Sequence, residues 1–138
     1  MRFSRMYRWL AILIGLVLLA SGIVWTVADR WKAGPDGEFW QRWIATALMV
    51  HGGAAMAALL LLGALGEIHI RRAWRANRNR ATGILMVLVN GLLVVSALAL
   101  YYSGSETLRP WISAIHITGG LALPLLIALH IVVGRRSR

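Results

Sequence analysis

Polar residues come in clusters along this chain, and between the clusters the sequence is almost uniformly apolar. The apolar runs cover residues 9–28, 43–70, 81–102 and 111–134. Each has about the 20 residues, or more, that a helix needs to cross a hydrocarbon core. The second run is longer and is expected to tilt or protrude. Pro124 falls inside the fourth, where a kink is expected and membrane helices tolerate one. The link at 29–41, with Gly34, Pro35 and Gly37, is a short irregular connection that leaves no room for a soluble domain. The pattern predicts an all-α integral membrane protein. It is a single-domain four-helix bundle over 1–138, running up-down-up-down.

The arginines then set an orientation. Arg2, Arg5 and Arg8 precede the first run. Arg71, Arg72, Arg75, Arg78 and Arg80 fill the link between the second and third, and Arg135, Arg136 and Arg138 follow the fourth. The other two links mix both signs of charge. The positive-inside rule puts both termini in the cytoplasm of a bacterial inner membrane. Trp31, Trp40, Trp43, Tyr101, Tyr102 and Trp111 cluster at the opposite ends of the runs, as an interfacial aromatic belt does. The arginine lead of the first run resembles a signal peptide. The run is too long for one and no A-x-A site comes after it, so it is expected to be a retained helix.

Composition narrows the chemistry. The chain has 138 residues, 59% of them hydrophobic, a net charge of +10 and no cysteine. The absence of cysteine removes disulfides, thiolate zinc sites, iron–sulfur ligation and the C-x-x-C-H attachment of a c-type haem. The positive charge sits between apolar runs and not on a soluble face, so a nucleic-acid partner is not expected. Any metal must be held by His, Met or oxygen.

Four histidines remain, and all lie on the second or fourth run: His51, His69, His116 and His130. Polar side chains at membrane depth are costly and usually functional. His116 and His130 are 14 residues apart, which places them on one helix face to within about 40° and ~21 Å apart along the axis. His51 and His69 are 18 apart, five full turns or ~27 Å. The two helices run in the same direction. Measured from their terminal arginines, His51 and His116 sit at nearly equal depth, whereas His69 and His130 are offset by about three residues, or ~4.5 Å. Two imidazoles facing each other across parallel helices suit a haem iron, which takes axial ligands on opposite faces. Glycines open helix surfaces to a flat group, and Gly52, Gly53, Gly63, Gly66, Gly119 and Gly120 flank the histidines. Haem propionates want cations. Arg42 and Arg109 are available at one end, and Arg71, Arg72, Arg75 and Arg135 at the other. The plainer readings are that small residues pack helices together, that His69 beside Glu67 and Arg71 is an interfacial polar group, and that Met49, Met56 and Met86 fill apolar space.

The stretch from His51 through Gly66, with His69 and Trp74, resembles the second helix of small bacterial di-haem cytochromes b. The runs YYSGSETLRPWISAIH and LHIVVGRR resemble the closing half of such proteins. The 14-residue histidine pair resembles the ligand spacing of the cytochrome b superfamily. This resemblance spans roughly residues 40–136. It implies a four-helix bundle holding two b-type haems, each with one histidine from each of two helices. His51 and His116 would hold the outer haem, His69 and His130 the inner one. The 18-residue spacing departs from the expected 14, and position 65 is Leu, which cannot ligate. A helix distortion near Gly63 and Gly66, or helix tilt, would absorb the offset; otherwise the chain would carry a single haem.

The function implied is electron transfer across the bilayer. The partner would be a redox protein carrying flavin, c-type haem or iron–sulfur centres, or the quinone pool. Asn90 is expected to bond between helices. The competing reading is a cofactor-free structural or assembly subunit of a larger membrane complex. A proton channel is disfavoured because no Asp or Glu lies deep in any run.

Overall fold

The computed structural model describes residues 5–66, 70–76 and 79–136. They form α1 (Arg5–Trp31), α2 (Gly37–Leu65), a short α3 (Arg71–Arg75), α4 (Arg80–Tyr102) and α5 (Arg109–Arg136), with no strand among the described residues. All but α3 are long and apolar enough to cross a membrane. The all-α class and the four spans are therefore as expected. The helices overrun most apolar boundaries because helical hydrogen bonding continues into the flanking arginines and aromatics. α1 starts at Arg5 and α5 runs unbroken from Arg109 through Pro124 to Arg136.

The end of α2 differs from the expectation that this helix reaches residue 70. Regular α-helix stops at Leu65, and a wider π-type turn appears at Gly66 and again at Ile70, both with right-handed helical backbone angles. A π-type turn inserts extra backbone into a helix and rotates the facing of the residues beyond it. The distortion anticipated near Gly63 and Gly66 is thus present at Gly66, whereas Gly63 is regular helix. His69 lies outside the described residues.

The chain divides into two compact units, Met1–Gly66 and Glu67–Arg138. In the first, α1 and α2 form an antiparallel hairpin. Its turn is closed by Gly34 N–H donating to the Trp31 carbonyl (2.9 Å) and Gly37 N–H to the Gly34 carbonyl (3.0 Å). A Cβ at Gly37 would stand 2.5 Å from the Lys32 carbonyl oxygen, so no side chain fits there. Small residues line the seam: Ser21, Ala28 and Ala47 are the buried ones in this unit. Small residues let membrane helices approach closely, and dispersion then holds them.

In the second unit, α4 and α5 pair antiparallel in a constant register. Ser96 meets His116, Leu93 meets Gly119 and Thr82 meets His130, so every residue advanced on one helix is one retreated on the other. The connection 103–108 is tied by Ser105, whose hydroxyl accepts Leu108 N–H (3.2 Å). Arg109 Nη1 donates to the carbonyls of Leu100 (2.8 Å) and Ser103 (3.4 Å), satisfying acceptors that a helix end leaves bare. At the opposite end the Arg80 guanidinium stacks on Trp74, 4.7 Å from the ring centre, and donates to the Trp74 carbonyl (2.7 Å), joining α3 to α4.

No large side chain is fully buried among the described residues, and bulky apolar groups face outward all along the spans. Leu60 and Leu125, for example, are 79% and 74% exposed. Water would not tolerate so much continuous apolar surface. Hydrocarbon does, since lipid tails are as apolar as leucine. The chain is a multi-pass membrane protein whose helices contact the bilayer.

Candidate functional site

His51 projects from the middle of α2 onto α1. Its Nδ1 lies 3.1 Å from the Leu18 carbonyl oxygen and 3.0 Å from Ser21 Oγ. A carbonyl can only accept, so Nδ1 carries the proton. Ser21 gives its own proton to the Val17 carbonyl (2.6 Å), which leaves its oxygen to accept as well. Gly22 makes the approach possible, because a Cβ there would stand 3.3 Å from His51 Cε1.

His116 repeats the arrangement near the start of α5. Its Nδ1 is 2.8 Å from the Oγ of buried Ser96, and that hydroxyl donates to the Leu93 carbonyl (3.1 Å) on its own helix. Leu93 also packs over Gly119, where a Cβ would come within 3.3 Å of Leu93 Cδ2.

His130, near the end of α5, repeats it again. Its Nδ1 is 2.8 Å from Thr82 Oγ1, and Thr82 donates to Asn79 Oδ1. The Asn79 amide in turn donates to the His130 carbonyl (3.0 Å), and a Cβ at Gly134 would stand 3.2 Å from that amide nitrogen. Asn79 precedes α4 with a left-handed φ of 49°, a conformation asparagine tolerates better than other side chains. The Asn79 amide nitrogen also lies 3.3 Å from the same Nδ1.

All three imidazoles are half-buried and each has Nδ1 hydrogen-bonded to a hydroxyl of the helix it packs against; at His51 the Leu18 carbonyl also fixes the proton on Nδ1, which leaves the lone pair at Nε2. That is the form that ligates a metal, and such a hydrogen bond at the other nitrogen both orients the ring and raises its basicity. On α4, Thr82 and Ser96 are 14 residues apart, the same interval as His130 and His116 on α5.

No family model, no curated protein and no solved structure matches the chain. The family likeness rests on the histidine arrangement and its flanking runs alone.

Other residues singled out from the sequence take several roles. A Cβ at Gly52, Gly53, Gly66 or Gly120 meets nothing within 4 Å among the described residues, so these glycines leave helix surface open. Gly119 instead serves packing against Leu93. Arg42 on α2 and Arg72 on α3 are exposed, whereas Arg109 caps α4. Asn90 donates to the Met86 carbonyl on its own helix (2.8 Å), not to a neighbouring one. The described residues gather no cluster of three or more His, Asp or Glu. A haem asks for less, one imidazole on each face.

Sequence reading missed Ser21, Gly22, Asn79, Thr82 and Ser96. One signal for two of them was in view: a pair of hydroxyls on one apolar run with the same spacing as the paired histidines on the next.

Proposed function

We propose that this chain is the b-type cytochrome subunit of a membrane electron-transfer system. It would hold two haems, one near each face of a bacterial inner membrane. The observation that carries the reading is the shared state of His51, His116 and His130. Each is a half-buried imidazole on a spanning helix whose Nδ1 is hydrogen-bonded to a hydroxyl of the helix it packs against. Three imidazoles prepared in one way fit the donor set that haem iron takes. Sequence register pairs His51 with His116 on the outer side and His69 with His130 on the inner side.

A bound haem would supply one-electron chemistry at iron, with histidine rings of this chain holding it. The chain's own part is to hold the ligand rings, exclude water and set polarity. Open helix surface at Gly52, Gly53, Gly66 and Gly120 favours a flat group beside the rings. Arg42 at one end and Arg72 at the other are placed for propionates. Arg109 retains further guanidinium donors beyond those that cap α4, so it can cap that helix and still meet a propionate. With no cysteine, the chain offers no iron–sulfur or c-type centre of its own. A partner carrying flavin, c-type haem or iron–sulfur centres, or the quinone pool, would complete the circuit. By the arginine distribution both termini face the cytoplasm.

Histidine substitution tests the reading. Purified wild-type protein should show a Soret band, and His116→Ala and His130→Ala should each lose about half of the bound haem, as should His69→Ala. Retention of all haem in His69→Ala would remove that residue from the ligand set. A colourless wild-type chain would instead support a cofactor-free structural or assembly subunit.

A further inference from the structure

A serine or threonine inside a membrane helix can satisfy itself by returning its proton to a carbonyl three or four residues back. Thr26 and Thr46 do so, bonding the carbonyls of Gly22 (2.8 Å) and Arg42 (3.2 Å). Ser21, Ser96 and Thr82 go further. Each also presents its oxygen to an imidazole Nδ1 at 2.8–3.0 Å. All three described histidines are met in this way, and two of the meetings recur at the same 14-residue interval on both helices. The constant register of α4 on α5 makes the two intervals equal, but it does not require a hydroxyl at both facing positions.

Resting on the haem reading above, we propose that Ser21, Ser96 and Thr82 are positioning residues. With Nε2 on iron, Nδ1 of each ring carries the proton and the facing hydroxyl accepts it, which orients His51, His116 and His130 and sets the midpoint potential of the haem each would hold. An imidazole that gives Nδ1–H to an acceptor gains electron density and becomes a stronger donor at Nε2. Stronger donation stabilises ferric over ferrous iron. The acceptors are polarised, because each hydroxyl donates onward, Ser21 to Val17, Ser96 to Leu93 and Thr82 to Asn79. Removing an acceptor therefore raises the midpoint of its own centre. The bond shifts the ratio of oxidised to reduced iron by the difference in its strength between the two states, so one neutral hydrogen bond bounds the effect at about tenfold, or ~59 mV for one electron.

The test is a potentiometric titration of the whole chain in detergent, read at the haem α-band, with haem per chain and low-spin EPR g-values measured on the same samples. Ser96→Ala should raise one component and leave the other, and Thr82→Val should do the reverse. Ser96→Thr and Thr82→Ser, which keep the hydroxyl, should stay at the wild-type values. A merely structural role moves neither potential nor g-values in a haem-loaded variant. Should Ser96→Ala fail to accumulate, Ser96→Cys replaces it, since sulfur accepts weakly and the same upward shift is expected. Haem-loaded Ser96→Ala and Thr82→Val with wild-type potentials and g-values overturn the proposal and leave the haem reading standing. A wild-type chain without haem removes the haem reading itself, and the inference with it.

Discussion

At the level of single residues, Gly22 shows how little separates a working contact from a clash. Its missing side chain lets the His51 ring lie against α1, since a Cβ there would stand 3.3 Å from Cε1 and 3.5 Å from Nδ1. Alanine asks the ring to yield by a few tenths of an ångström. Gly22→Val asks for more and should push Nδ1 off Leu18 and Ser21, so on the proposed function the haem assigned to His51 should be lost while the other is kept. Haem per chain in the purified variant checks this, and full occupancy would count against the placement of His51. The histidines were legible in the sequence because imidazole at membrane depth is rare and expensive. Their hydroxyl partners were not. Serine and threonine are ordinary in membrane helices, and Ser96 acquires meaning only once the register of α4 on α5 brings it opposite His116.

Elements carry a second kind of information, in where they begin and end. Apolar run length gave the four spans correctly, because a bilayer filters on length and hydropathy alone. It gave the termini poorly, because helices continue past the apolar boundary. It also carried α2 on to residue 70, where the α-helix ends at Leu65 and gives way to a π-type turn at Gly66. A periodic apolar pattern does not register a change in helical pitch. The start of α4 depends on Asn79 and its left-handed φ of 49°. Asn79→Gly keeps that backbone and loses the side-chain bonds, to His130 and from Thr82. Asn79→Val loses both and should cost about 1–2 kcal/mol more than the glycine variant. Unfolding of the two variants in mixed detergent measures the difference, and equal stabilities would contradict the role given to backbone conformation. The α1–α2 turn has a comparable point at Gly37. A Cβ 2.5 Å from the rigid Lys32 carbonyl forces the turn open, and Gly37→Ala should destabilise the protein by about 1–3 kcal/mol in the same assay.

For the whole molecule, solvent decides the reading of the surface. Outward-facing leucines, isoleucines and tryptophans along four spans make sense in lipid and nowhere else. The arginine clusters then give the proposed orientation, with 71–80 and both termini in the cytoplasm. Alkaline phosphatase fused within 103–108 should be active and fused after residue 138 inactive, and the reverse pattern would invert the inner and outer assignments. The most direct measurement of the central claim is a pyridine haemochrome assay on the purified whole chain with parallel protein quantitation, because it reports haem type and number together. Two b-type haems per chain are expected. Purified protein that folds, inserts and carries no haem would contradict the cytochrome reading.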